Sequence, residues 1–227
     1  MEPVLRLLQL GEVALPDTPR AMVLGRAGER RAARFASAQD RDGFIAGRIA
    51  LRLFAAELLA VDSSRLTPHF DCPQCGPGQD HGRPGFMLDG GPAPLVLSAS
   101  RASGWVLLAG VVHPAEGLRL GVDLEAVSRV GFAGFDGVAL TAGERRLIDA
   151  APEEERDTQR ARLWARKEAW LKMTGEGLRR SPAEVDVLDR PGVQDVDTIG
   201  GRALPEGLVA ALCLDYRGEG SGGSAAS

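Results

Sequence analysis

The sequence predicts an α+β protein built as two halves. Three observations carry that expectation. Helical periodicity is followed by short apolar strand-like runs, and this order occurs twice along the chain. The 227 residues are 44% hydrophobic and 26% charged, which suits a globular core with a solvated surface. No apolar run approaches the ~18–20 residues needed to cross a bilayer.

The elements follow in order. Val4 to Leu8 reads as a short strand. Arg26 to Phe35 reads as a charged helix, and Asp40 to Ala60 as a second. In the second, Phe44, Ile45, Ile49, Leu53, Phe54 and Leu58 form a stripe near helical spacing. Thr67 to Asp89 is rich in Pro and Gly and reads as loop. Leu95 to Ser100 and Trp105 to Val112 read as strands joined at Ala102–Gly104. His113 to Gly117 is a turn, and Leu118 to Glu125 another strand. Thr141 and Glu144 have capping-box spacing at a helix start. Glu153 to Met173 is the strongest predicted helix, stopped by Gly175 and Gly177. Val185–Leu188, Val193–Ile199 and Leu208–Leu214 suit strands. The expected division is 1–117 and 118–217, joined near Pro114–Gly117, with 218–227 a disordered Gly/Ser/Ala tail.

Charge narrows the function. The net charge of −4 argues against a general nucleic-acid binder. The Met-Glu-Pro start has no basic region before an apolar stretch, so the expectation is a cytoplasmic protein without signal peptide or membrane span. Three cysteines are too few for a disulfide framework. Of 27 basic residues only Lys167 and Lys172 are lysines. A GC-rich genome accounts for the arginines. The clustering of both lysines points to a need for a compact ammonium there.

Two segments carry chemistry. In Gly121-Val122-Asp123-Leu124-Glu125 the two carboxylates lie at i and i+2 of a strand and share a face. A hard divalent cation gives a reason for that pairing, and an acidic solvated strand end is the plainer account. In Trp164 to Lys172, residues Trp164, Glu168 and Lys172 share a helix face. They read either as a surface ion pair or as a third metal carboxylate followed by a phosphate-binding ammonium. Trp164 and Trp170 read as core.

With both segments in hand, the chain resembles the 4′-phosphopantetheinyl transferases of the larger, monomeric Sfp type. Residues 121–125 match G-[IV]-D-x-E, and residues 164–172 match W-x-x-K-E-[AS]-x-x-K. Thr174-Gly175-Glu176-Gly177-Leu178 follows, and 42 residues separate Glu125 from Glu168. Upstream, Gln39 to Arg52 looks like the family's opening helix. Gly82-Arg83-Pro84 stands for G-K-P, and Ser98-Ala99-Ser100-Arg101 for N-[IV]-S-H. Arg101 thus replaces the usual His, and Ser98 the Asn.

The resemblance implies two similar halves with the active site in the cleft between them. It implies transfer of the phosphopantetheine arm of coenzyme A to a serine of an apo acyl or peptidyl carrier protein, releasing adenosine 3′,5′-bisphosphate. It implies Mg²⁺ held by Asp123, Glu125 and Glu168, with Glu168 as base, directly or through a metal-bound water, and Lys172 neutralising phosphate charge. Lys167 is a second candidate, about 100° away around the helix. Arg31, Arg83, Ser100 and Arg101 are the implied coenzyme A contacts. Arg145, Arg146 and apolar residues of 130–138 are candidates for carrier docking. A non-catalytic module that binds carrier protein or coenzyme A is the alternative.

One loop stands apart. His69, Cys72, Cys75 and His81 have the spacing of a zinc site. Free thiols, a redox pair, or a role for His81 at coenzyme A are alternatives. Cys213 reads as a buried core residue.

Overall fold

The computed structural model describes residues 2–13, 20–72 and 74–216. Strand β1 (Val4–Gln9) leads to helices α1 (Arg20–Ala32) and α2 (Ala38–Leu59). Five short strands follow: β2 (Leu66–Pro68), β3 (Phe70–Cys72), β4 (Gly76–Gln79), β5 (Phe86–Leu88) and β6 (Gly91–Pro92). Next come β7 (Leu95–Ala102), β8 (Trp105–Val112) and β9 (Leu118–Ala126). Helices α3 (Phe135–Ala139), α4 (Ala142–Ala150) and α5 (Glu153–Thr174) precede β10 (Val193–Asp195), β11 (Thr198–Ile199), β12 (Arg202–Ala203) and β13 (Leu208–Tyr216). The expected tail 218–227 lies outside the described residues.

Of the three antiparallel three-stranded sheets among the described residues, two organise the chain, with strand orders β1-β8-β7 and β10-β13-β9. Each arises from the same sequence of elements: strand, 22-residue helix, strand, strand. In each, the strand before the helix pairs with the last strand, and the remaining strand pairs with that one's other edge.

Alternation along the strands assigns the faces. Val106 and Leu108 of β8 pack with Leu51, Phe54 and Ala55 of α2. Leu107, Ala109 and Val111 face the other way, against Leu120, Val122 and Leu124 of β9 and Ala210 and Leu212 of β13. Val209, Ala211 and Cys213 on the opposite face of β13 pack with Ala161, Ala165 and Ala169 of α5. The layers therefore run helix, sheet, sheet, helix. Cys213 is fully buried, as expected, and burial pushes its thiol up to about 12.

Most predicted elements are present; the strand expected over Val193–Ile199 divides into β10 and β11, which belong to separate sheets, and three further elements differ. Helix α1 begins at Arg20, is broken at Gly25 (φ 64) and stops at Ala32, short of Phe35. The predicted loop 67–89 holds paired short strands of three or four residues, too short to give a periodic signal. Val185–Leu188 forms no strand. Its apolar side chains are buried, but its backbone groups are met by side chains, as described below. The β7–β8 hairpin turns on Ser103 and Gly104, both at positive φ (47 and 80), the two-residue turn that matches strand twist. Among the described residues no helix is long and apolar enough to cross a membrane.

Candidate active site

Strand β9 and helix α5 approach so closely because position 121 has no side chain. A Cβ on Gly121 would stand 2.0 Å from the carbonyl oxygen of Ala169 and 2.6 Å from the Met173 nitrogen. Alternation then places Asp123 and Glu125 on the same face of β9 as Gly121. Helical spacing places Glu168 and Lys172 on either side of the contact.

Asp123 is the centre of the node, only 4% exposed. Its Oδ1 accepts from Lys172 Nζ at 2.6 Å and from Ser100 Oγ at 2.6 Å. Lys172 Nζ also donates to Ser100 Oγ at 2.9 Å. Three elements, β7, β9 and α5, thus meet in one hydrogen-bonded triangle. Ser98 Oγ, two residues before, accepts from the Val122 backbone N–H at 3.0 Å and ties β7 to β9 beside it. Ser98 stands where the resemblance expected Asn, and its hydroxyl joins the two sheets.

The second oxygen of Asp123, Oδ2, is buried with no hydrogen-bond partner among the described residues. A buried carboxylate oxygen left bare costs free energy. Burial raises the Glu168 carboxyl above its ordinary range; Asp123 and Glu125 add to this, and Lys172 opposes it. Burial also raises Glu125, against the pull of the Ala126 N–H and with a further push from Asp123. Three carboxylates sharing one partly buried region, with one oxygen bare, fit a hard divalent cation. Their oxygens do not converge as a set. Among the described residues the group of metal-type ligands that lies within 4.8 Å is a different one, Cys72, Cys75 and His81. Lys172 already engages Asp123.

Three arginines gather around Phe44. The guanidinium carbons of Arg31, Arg48 and Arg101 lie 5.5, 5.1 and 5.7 Å from its ring centre. Arg48 also stacks on Phe70 at 3.6 Å. Arg31 and Arg48 donate to the carbonyl oxygen of Asp80, at 3.0 and 2.6 Å. Burial and the charges of Arg31 and Arg101 lower Arg48 to about 10, Asp80 opposing. Burial, then Arg31, lowers Arg101 as well. Gly47 makes room, since a Cβ there would lie 2.8 Å from Arg101 Cδ. Crowded guanidiniums of this kind are arranged for an anion. Arg48 was absent from the expected set; its signal was the Gly47-Arg48 pair on the apolar helix. Arg83 does not join the group. It donates to the Thr174 and Met173 carbonyls at the end of α5, at 3.0 and 3.3 Å. Together with Ser98, His81 and Lys172 it lines a cavity of about 400 Å³.

Residues 119–206 match the family model of the 4′-phosphopantetheinyl transferase superfamily. No curated protein matches the chain. The transferase match spans Asp123, Glu125, Glu168 and Lys172, while Arg31, Arg83, Ser100 and Arg101 lie before it.

Within the matched segment, Lys167 has a different place from Lys172. It is fully buried and paired with the equally buried Glu144, Nζ to Oε2 2.7 Å. Lys167 Nζ also donates to the Pro182 carbonyl at 2.8 Å and to that of Val185. Glu144 caps α4 through the Thr141 N–H at 2.8 Å and accepts from the Val187 N–H at 3.1 Å. Burial lowers the Lys167 ammonium and Glu144 supports it. The motif lysine is thus directed away from Asp123 and holds the 182–187 segment. Trp164 and Trp170 both pack on the core, as expected.

Two further sets were expected near the site. Arg145 and Arg146 are exposed on α4. Phe132 and Val138 are 58% and 65% exposed and line a depression of about 300 Å³ with Glu125, Arg129 and Trp164. Of the four residues read as a zinc loop, the structure gathers Cys72, Cys75 and His81 and leaves out His69. Phe70 and Cys72 point inward from β3, so His69, one residue earlier, falls on the opposite face.

Proposed function

We propose that the protein transfers the 4′-phosphopantetheine arm of coenzyme A to a serine hydroxyl of an apo carrier protein and releases adenosine 3′,5′-bisphosphate. The triangle of Asp123, Lys172 and Ser100, with its bare carboxylate oxygen, carries this reading. In it, the serine oxygen attacks the phosphorus bearing the pantetheine, and the bond to the nucleotide phosphate breaks. Glu168, whose carboxyl is raised by burial, accepts the serine proton. Lys172 supplies fixed positive charge where the phosphate charge develops. Asp123, Glu125 and Glu168 would hold Mg²⁺, which when bound neutralises pyrophosphate charge.

Arg31, Arg48 and Arg101 would hold the nucleotide phosphate, with Ser100 between that end and the reacting one. Arg83 would act by holding the cavity wall against α5. The shared strand–helix–strand–strand order supports two duplicated halves, 1–117 and 118–217, with the substrate in the cleft where they meet. Exposed Phe132 and Val138, next to Glu125, suit an apolar contact with the carrier, and Arg145 and Arg146 suit an acidic one. The proposed working form is a monomer.

Intact-mass spectrometry of apo acyl and peptidyl carriers, incubated with the protein, coenzyme A and Mg²⁺, tests the function. A gain of one phosphopantetheine that EDTA suppresses is the expected result. No gain on any carrier refutes the transferase reading.

Replacing Arg48 or Arg101 by Ala removes a charged hydrogen bond worth about 1.5–3 kcal/mol. The KM for coenzyme A should rise about 10–100-fold, with kcat changed little. An unmoved KM in both variants would place the nucleotide elsewhere.

A further inference from the structure

We propose that Cys72, Cys75 and His81 bind a zinc ion, whose fourth coordination position is left to water or another small donor. The site is separate from the three carboxylates, and the inference does not rest on the transfer reading.

The ligand atoms are already together, all within 4.8 Å of one another. Two sulfurs on one tetrahedral zinc stand about 3.8 Å apart, given Zn–S bonds of about 2.3 Å. Closing the site therefore needs a shift of about an ångström at most. The two thiols lose their protons to solvent on binding, and the resulting thiolates balance the charge of the ion. Sulfur ligands select a thiophilic metal over Mg²⁺ or Ca²⁺.

The backbone is shaped to carry that set. Cys72 ends β3 and pairs with Gly76 at the start of β4, so Cys72 and Cys75 sit at a hairpin tip. Gly76, just after Cys75, has φ 78, which lets the chain turn back beneath the sulfur pair.

The histidine is oriented independently. His81 Nδ1 lies 2.8 Å from Asp80 Oδ1, which leaves Nε2 as the free ligand atom. A carboxylate behind a metal-binding imidazole fixes its tautomer and strengthens it as a ligand. The loop bearing His81 is held across the hairpin by two backbone bonds, Asp71 N–H to the Arg83 carbonyl at 3.0 Å and the reverse at 2.7 Å. Gly82 (φ 94) permits this, because a Cβ there would meet the Asp71 carbonyl oxygen at 2.3 Å. A simple thiol pair closing to a disulfide would leave the Asp80–His81 arrangement without a purpose.

The ion would join elements that matter elsewhere. The carbonyl of Asp80 receives Arg31 and Arg48, and Arg83 reaches the end of α5. Zinc would thus lock the loop between the arginine group and the Lys172 helix.

The full-length chain, purified without added metal and under reducing conditions, should carry about one zinc per chain by elemental mass spectrometry. Chelator-stripped protein should take up Zn²⁺ in competition with a chromophoric chelator. Co²⁺ in its place should give the intense visible bands of a tetrahedral thiolate site. Cys75→Ser and His81→Ala should each weaken zinc by at least about 100-fold, and Asp80→Asn by about 10–100-fold. His69→Ala should leave affinity unchanged. Circular dichroism of each variant separates ligand loss from unfolding, and exposed Cys75 is the conservative position. Reduced protein that neither carries nor takes up zinc overturns the site. Equal loss in His69→Ala overturns the three-ligand assignment. A Cys72–Cys75 disulfide that after reduction still takes up no zinc replaces it with a redox pair. Zinc absent with transfer intact, or present without transfer, separates this inference from the proposed reaction.

Discussion

Glu168→Gln should lower phosphopantetheinyl transfer by about 10²–10⁴-fold, the range for loss of a positioned base, and should raise the melting temperature. The two effects have one cause. Burial and the neighbouring Asp123 raise the Glu168 carboxyl in the folded chain. The fold therefore holds that proton more tightly than the unfolded chain does. For such a group, stability is greatest when it is protonated and is lost as pH climbs from the unfolded value through the raised folded one. At neutral pH the ionised carboxylate is a net cost, which Gln removes without changing shape. In the wild type, kcat/KM should rise with pH across the Glu168 ionisation, and the variant should lack that limb. Thermal melts at pH 5 and pH 7.5, with a transfer assay on the same samples, read both. Retained turnover would show that Glu168 is not the base. A melting temperature lowered at neutral pH would show that its charge is compensated in the fold.

Lys167→Met should destabilise the protein by about 3–5 kcal/mol, the cost of breaking a buried ion pair from one side. The substitution strands the Glu144 carboxylate inside the core and leaves the Pro182 and Val185 carbonyls without their donor. Against the usual total of about 5–15 kcal/mol this is a large share. It corresponds to a fall in melting temperature of about 6–20 °C for a chain this size. Urea unfolding followed by tryptophan fluorescence measures it. Glu144→Gln should cost less, because the amide oxygen still accepts from the Thr141 or Val187 N–H. A loss below about 1 kcal/mol in Lys167→Met would mean that the pair contributes nothing net.

The long helices and the strand with Asp123 were legible because each has a strong period and clear stops. The Thr141–Glu144 spacing gave the helix start in full, including the reciprocal bonds. Val185–Leu188 misled for a physical reason. Its alternation is real and buries Val185 and Val187. Its hydrogen bonds, however, go to Lys167 and Glu144, which lie 18 and 43 residues away. No local pattern records that a distant ion pair has taken the place of a neighbouring strand. Arg48 was hidden similarly, since an arginine on a helix reads as surface until Phe44, Arg31 and Arg101 surround it. The group Cys72, Cys75 and His81 was visible in spacing, whereas the exclusion of His69 depends on which side of β3 it falls.

The scarcity of lysine gives the protein an unusual chemical handle. Lys167 is sealed inside, and Lys172 is 32% exposed at its side chain. Lys172 is therefore the one side-chain amine that an acylating or alkylating reagent can reach. Its ammonium holds Asp123 and Ser100 in place. A reagent that elsewhere would scatter over a surface is directed here to the side chain that joins Asp123 and Ser100. Lysine acylation, whether by a chemist's ester or by a reactive thioester metabolite, would remove the charge that Asp123 meets and report on the same nitrogen.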